Sequence, residues 1–254
     1  GRPRRCLGTV AAGLSSAVLS SSGVAVRRWP AVWGPSFPGA APPFALVLLN
    51  TRLPTALEEL WPRAKQRIAA DGAVNRLRRQ FPGLTPDLVA GDLDSADPAI
   101  LDEFRRQGVE VRDLSNDQDS TDLDKALRAV TSPLAVVVGE LCSGGRLDHF
   151  FGIVNSLARL GGGRHAVCLA QATAMAVLEG GVRHVLPVRG LAGRPCGLVP
   201  IDGPCRASTA GLRWDVQDAE LRFGALVSTS NAVEGAEVEV YATGPLLWTL
   251  ALEE

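Results

Sequence analysis

Residues 87–100, "DLVAGDLDSADPAI", set the apolar run Leu88, Val89 and Ala90 directly before three carboxylates, Asp92, Asp94 and Asp97. An apolar run without polar alternation is the pattern of a strand buried on both faces. Carboxylates crowded at its end repel one another and stay ionised only where water, a cation or basic groups compensate them. A buried strand opening into an acidic loop predicts an element of a parallel sheet and a place where positive charge collects.

Outward from this stretch, similar runs recur at 44–49 (FALVLL), 67–70 (RIAA), 109–114 (VEVRDL), 134–139 (LAVVVG) and 166–170 (AVCLA). Helical segments lie between them. After Asp119, positions Leu123, Ala126, Leu127 and Val130 keep the i, i+3, i+4, i+7 rhythm, with Asp119 and Asp122 at cap and first-turn positions. Phe150, Ile153, Val154, Leu157 and Leu160 repeat it until Gly161, Gly162 and Gly163. Strands alternating with crossover helices predict an α/β domain with a parallel sheet over residues 44–172. Beyond it, short strands separated by Gly, Pro and Asn (HVLPV, CGLVPI, ASTAGLRW, ELRFGALVSTS, EVEVYAT, LLWTLAL) predict a C-terminal all-β sandwich domain over 173–254. Residues 1–43 are rich in Arg, Ser, Ala, Gly and Pro without periodicity, and are read as an N-terminal extension, either structureless or a mitochondrial targeting peptide.

Hydrophobic content of 46% with 21% charged residues is that of a folded chain, not a disordered one. The net charge of −1 hides five arginines and no acid in residues 1–43; the rest carries 21 basic and 27 acidic side chains, a balance of −6. That body has no basic footprint for nucleic acid. No apolar run approaches a membrane span. The five cysteines show no C-x-x-C spacing, so neither a zinc site nor a disulfide framework is signalled and a reducing, cytoplasmic compartment is expected.

The charged residues fall on successive loops. Asp71 follows the second strand, Asp92 and Asp94 the third, Asp117, Asp119 and Asp122 the fourth, and Arg146 and Asp148 the fifth. In open α/β sheets ligands bind outside the carboxyl ends of the strands. Any one of these aspartates alone would read as a cap or turn residue. Together they make an oxygen-rich site suited to Mg²⁺, which takes carboxylates, waters and substrate phosphates. There is no G-x-x-x-x-G-K-[ST] loop and no G-x-G-x-x-G after the first strand. "CSGGRLD", 142–148, offers a Gly pair and Arg146 before a helix N-terminus, where a phosphate could be met.

At this level the chain resembles the thiamin pyrophosphokinase (thiamine diphosphokinase) family of the eukaryotic type. Nine segments in order carry the resemblance from about Phe44 to Leu252: LVLLN, ADGAVNRL, PDLVAGDLDS, NDQDSTDLDKAL, GGRLDHFFGIVNSL, CGLVPIDGPC, STAGLRWDV, FGALVSTSNAVEG and PLLWTLAL. The resemblance implies transfer of the diphosphate of ATP to the hydroxyl of thiamine, an α/β domain with a β-sandwich, and homodimers with sites between subunits. It also implies Asp92, Asp94 and Asp122 as magnesium ligands with Asp71 close by, and Asn75, Gln118 and Thr121 near substrate. Arg146 and Asp148 would lie by the phosphates and the reacting hydroxyl, with Asp148 or Asp122 as proton acceptor. Trp214 would lie beside thiamine, a flat ring facing a cationic heteroaromatic ligand, with Ser228, Ser230 and Asn231 in the neighbouring matched segment.

The chain departs from the family pattern at Ala73 and Val74, where Gly-Ala is usual, and at His149, where Gln is usual; strain in the turn before residue 73 and altered affinity are the expectations. Two other readings stand beside this one. A magnesium-dependent phosphohydrolase would use DLDS as a nucleophile motif, although such an Asp normally follows the first strand rather than the third. A non-catalytic thiamine or nucleotide binder would retain the fold without turnover.

Overall fold

The computed structural model describes residues 18–19, 23–33, 42–139, 146–160, 164–170 and 172–252. Its strands are, in chain order, β1 (Val18–Leu19), β2 (Ala25–Arg28), β3 (Phe44–Leu48), β4 (Gln66–Ala70), β5 (Leu88–Gly91), β6 (Glu110–Asp113), β7 (Leu134–Val138) and β8 (His165–Leu169). There follow β9 (Thr173–Leu178), β10 (Val182–Pro187), β11 (Pro195–Pro200), β12 (Cys205–Ala210), β13 (Ala219–Leu221), β14 (Ser228–Ala232), β15 (Glu237–Ala242) and β16 (Leu246–Ala251). The helices are α1 (Leu57–Leu60), α2 (Ala73–Gln80), α3 (Pro98–Arg106), α4 (Asp122–Arg128) and α5 (Leu147–Arg159).

The six expected parallel strands all form, in the spatial order β8-β7-β3-β4-β5-β6. The chain starts in the middle at β3, runs out to β6, then returns to β7 on the other side of β3. The strand order therefore reverses between β3 and β7, the kind of place where loops diverge and leave a crevice. Both faces are covered, which is why the runs lack polar alternation. Leu46, Leu48 and Val89 face α2 and α3 through Val74, Leu77 and Phe104, whereas Ala45, Val47 and Ile68 face α4 and α5 through Leu123, Leu127 and Val154.

The C-terminal part forms a sandwich. One of its layers is β1-β2-β10-β15-β12-β13, and the other is β14-β11-β16-β9. The second layer is not separate: β9 pairs antiparallel with β8 through Cys168↔Met175 and Leu169↔Ala174, so one ten-stranded sheet runs through both parts. The boundary expected at 172/173 falls at this junction. Strand β9, which the sequence reading does not place, is the link.

The N-terminal reading also changes. Ala25–Arg28 is a strand of the sandwich, paired in parallel with β10, and Trp29, Val32 and Trp33 just after it are buried to 3%, 2% and 1% exposure. Two buried indoles remove on the order of 400 Å² from water, roughly 10 kcal/mol of gross transfer free energy. That driving force draws a polar, glycine-flanked segment into the core. The rest of the 1–43 reading, apart from Val18–Leu19 and the residues bordering Phe44, lies outside the described residues, as do residues 142–145 of the "CSGGRLD" loop and the glycines 161–163.

Candidate active site

The acidic loops converge at the carboxyl ends of β3, β4 and β5. Asp71 follows β4 in a left-handed conformation, φ 42°, which Asp tolerates better than most residues. Its backbone N–H donates to Ala90 O on β5 (3.1 Å). Two glycines allow the loops to meet. A Cβ on Gly91 would lie 2.6 Å from Asp71 Cβ, and one on Gly72 would lie 2.4 Å from Asn50 Nδ2. Ala73 and Val74 are ordinary buried residues opening α2; the unusual backbone lies in the turn just before them, at Asp71, and also at Leu93, φ 64°.

Asp92 follows β5, and Asp122 opens α4. That helix is capped by Thr121, not Asp119: the Thr121 hydroxyl accepts from Asp124 N (3.1 Å) while Asp124 Oδ2 accepts from Thr121 N (3.1 Å). This reciprocal pair satisfies two N–H groups that a lone aspartate could not. One carboxylate oxygen from each of Asp71, Asp92 and Asp122 lies within 4.8 Å of the others. In each of the three, Oδ1 is buried and makes no hydrogen bond to the described residues. Three clustered carboxylates that keep free acceptor capacity are the donor set of a hard divalent cation, and they fit Mg²⁺.

Electrostatics separate the three. Burial raises the carboxyls of Asp71 and Asp122, aided by the charge of Asp92. Burial also pushes Asp92 upward, but the hydrogen bond and charge of Lys125 outweigh it and hold Asp92 below the usual range. Lys125 Nζ lies 3.2 Å from Asp92 Oδ2 and 3.7 Å from Asp122 Oδ1.

A cavity of about 440 Å³ opens in front of this cluster, lined by Asn50, Thr51, Asp71, Asp92, Ser95, Ser120, Thr121 and Asp122, with Asp148, His149 and Gly152 from α5 opposite. Asn50, Thr51, Ser95 and Lys125 were not singled out from the sequence. The position of Asn50 after the first strand, and the three-residue spacing of Asp122 and Lys125 on one helix face, are the signals that could have found them.

The other expected residues sort differently. Asp94 is exposed, accepts from Ser95 Oγ (2.9 Å) and stands outside the carboxylate trio, because the chain turns at Leu93. Asp97 is the N-cap of α3. Asn75 clamps the acidic loop instead of facing the cavity: its Nδ2 donates to Ser95 O (2.7 Å) and its Oδ1 accepts from Asp97 N (2.9 Å). Gln118 is exposed and donates to Ser115 O (2.6 Å). Asp117, held down to about 2 by hydrogen bonds from Ser120 and Arg128, is tied up with those neighbours. Arg146 pairs with Asp148 at the start of α5, and its hydrogen bond holds that carboxyl below the usual range. Asp148 therefore faces the cavity as a weak proton acceptor.

A second group lies in the sandwich. Trp214 is 58% exposed, so it is not a core tryptophan, and Arg213 sits 5.6 Å from the ring centroid on one face. Asn231 on β14 brackets the Trp214 backbone, accepting from its N–H (3.1 Å) and donating to its carbonyl (2.9 Å). Ser228 lies within reach of the same amide, and Ser230 is exposed on the strand. In the ten-stranded sheet β14 stands seven places from β4, which at ~4.8 Å per place is roughly 34 Å. The Trp214 group and the carboxylates of one chain therefore do not share a pocket.

Fold and site define an α/β protein with an attached β-sandwich and a carboxylate cluster beside a polar cavity at the rim of its parallel sheet. Residues 57–169 match the model of the thiamin pyrophosphokinase catalytic domain, and residues 183–247 that of the thiamin pyrophosphokinase vitamin B1 binding domain. "Thiamine pyrophosphokinase 1" of Arabidopsis thaliana is 37% identical over 83% of this chain and 87% of its own length; that of Oryza sativa subsp. japonica is 34% identical over 89% and 94%. Among solved structures, the Candida albicans thiamin pyrophosphokinase shares the fold with a TM-score of 0.73 at 18% identity, covering 83% of this chain and 90% of that one. The chain belongs to the thiamin pyrophosphokinase family.

Proposed function

We propose that this chain transfers the diphosphate of ATP to the hydroxyl of thiamine, giving thiamine diphosphate and AMP, with Mg²⁺ held by Asp71, Asp92 and Asp122. The reading is carried by the three carboxylates of Asp71, Asp92 and Asp122, one oxygen of each within 4.8 Å of the others, beside a cavity large enough for a polyphosphate. Held by these three carboxylates, Mg²⁺ would supply charge neutralisation to the phosphate oxygens.

The chain's own groups do the positioning. Asn50, Ser95, Ser120 and Thr121 line the cavity with hydrogen-bonding groups, and Arg146, at the N-cap of α5 two residues before the lining residue Asp148, supplies a cation for the phosphate oxygens. The thiamine oxygen attacks the β-phosphorus, the bond from that phosphorus to the oxygen retained by AMP breaks, and the hydroxyl proton passes to a carboxylate or to water. Asp148, held below the usual range by Arg146, is a weak acceptor, whereas Asp122, raised by burial, is a stronger one; in-line placement and electrostatics act beside either.

The thiamine ring stacks on the free face of Trp214, opposite Arg213. Since Trp214 does not line the cavity in front of the carboxylates of the same chain, the complete site forms between two copies, with the α/β part of one facing the sandwich of the other. Exposed Leu147 and Phe151 on α5, and Phe223 and Leu226 in the sandwich, supply apolar surface for such a homodimer. In this division of labour residues 44–172 carry catalysis and residues 173–254 carry thiamine binding. A cytoplasmic setting accords with Cys168, Cys196 and Cys205, which are buried and free.

The test is product stoichiometry with ATP, Mg²⁺ and thiamine. AMP and thiamine diphosphate formed in equal amounts is the expected outcome; inorganic phosphate released without dependence on thiamine would make the chain a phosphohydrolase, and thiamine binding without turnover would make it a binder.

A further inference from the structure

Lys125 is the least expected group of the site. Its side chain is 1% exposed and sits behind the carboxylates; it is absent from the residues lining the cavity, so it does not meet substrate. A buried ammonium persists only where charges and acceptors compensate it. Here they are Asp92 and Asp122, at 3.2 and 3.7 Å. Helix α4 delivers both Asp122 and Lys125, three residues apart on one face, and its packing against β4 and β5 sets their distance from Asp71 and Asp92.

We infer that Lys125 is the fixed cation of this cluster, a positioning residue that holds Asp92 and Asp122 in place before metal arrives and limits the site to one divalent ion until nucleotide binds. The inference rests on the metal reading above. Three carboxylates and one ammonium leave two negative charges, which one divalent ion neutralises. A second ion would meet a site already balanced, with an ammonium at its back. Without Lys125, the three carboxylates would repel one another in a partly dry site, and a divalent ion would bind more tightly because no fixed cation opposes it.

Mn²⁺ is the probe, titrated into nucleotide-free protein by calorimetry, with melting followed in EDTA and in saturating Mn²⁺. Wild-type protein is expected to bind one ion per chain and to melt higher in saturating Mn²⁺ than in EDTA by the modest amount that one bound ion supplies. Lys125→Met is expected to melt well below wild type in EDTA, to recover most of the difference in Mn²⁺, and to bind Mn²⁺ at least about tenfold more tightly. A variant whose melting loss is the same with and without Mn²⁺, or whose Mn²⁺ affinity does not rise, makes Lys125 a packing residue only and overturns the inference. If Lys125→Met does not fold in EDTA, the double variant Lys125→Met/Asp92→Asn is expected to fold there, because one of the two unpaired carboxylates is gone; failure of the double variant as well is the contrary result. Wild-type protein that binds no Mn²⁺ refutes the metal reading and this inference together, whereas one bound ion in wild type with unchanged affinity in the variant refutes only the role of Lys125.

Discussion

Lowering the pH from 7.5 to 5.0 should destabilise this protein through two histidines outside the catalytic pocket. His184 is 1% exposed and fully committed: Trp29 Nε1 donates to its Nδ1 (3.0 Å), so its proton is on Nε2, which donates to the Glu179 carbonyl (3.0 Å). A second proton on Nδ1 would face the indole N–H. His165 is 6% exposed, meets the edge of Trp29 at 4.7 Å, and its Nε2 is buried without a hydrogen bond. Burial, with the nearby charge of Arg27, pushes both down to about 4 from 6.5. The unfolded chain then binds more protons than the folded one between about pH 4 and 6.5, so stability is complete above that window and falls as pH is lowered through it. For a shift of this size the loss at pH 5.0 is roughly 2 kcal/mol per histidine, about 4 for the pair. Urea denaturation at the two pH values measures it, with the double variant His165→Phe/His184→Gln as control. The control should be less stable at pH 7.5 but lose several kcal/mol less on acidification. A control as acid-sensitive as wild type would refute the assignment, leaving other groups responsible.

Asp92→Asn should reduce turnover by at least about a hundredfold, since it removes one of the three clustered carboxylates, while far-UV circular dichroism shows the fold retained and melting in EDTA falls because buried Lys125 loses a charged partner; wild-type turnover would remove Asp92 from the metal site. Trp214→Ala should raise KM for thiamine by about tenfold, the scale of one cation–π or stacking contact, with the melting temperature unchanged because the ring is exposed; an unchanged KM would exclude the stacking role. Trp33→Ala should destabilise the fold by about 3–5 kcal/mol in denaturant titrations, and a loss below 1 kcal/mol would show that the segment after β2 is not part of the core.

The parallel sheet was legible because strands covered on both faces carry continuous apolar runs, as FALVL and LAVVV do at β3 and β7. Strand β2, AVRR, carries no such run. Its place depends on pairing with β10 more than 150 residues away, and the indoles that follow it lie in a segment without apolar periodicity that gains a core only when the sandwich closes over them. The single ten-stranded sheet likewise depends on the β8–β9 pairing, a nonlocal contact with no local signature. In the site, Asp71, Asp92 and Asp122 were readable because each directly follows a strand or opens a helix at one edge. Whether a residue two or three positions further on faces the cavity was not. Asp94 and Asn75 turned to loop bracing, and Lys125 turned inward from a helix face that reads as solvated.

The central claim is that Asp71, Asp92 and Asp122 together hold a divalent ion against a nucleotide's phosphates. A crystal grown with Mn²⁺ and a non-hydrolysable ATP analogue measures this directly by anomalous scattering. The account predicts a peak within about 2 Å of an oxygen from each of the three carboxylates and from the phosphates. Phosphates bound in the cavity with no ion among those three oxygens would contradict it.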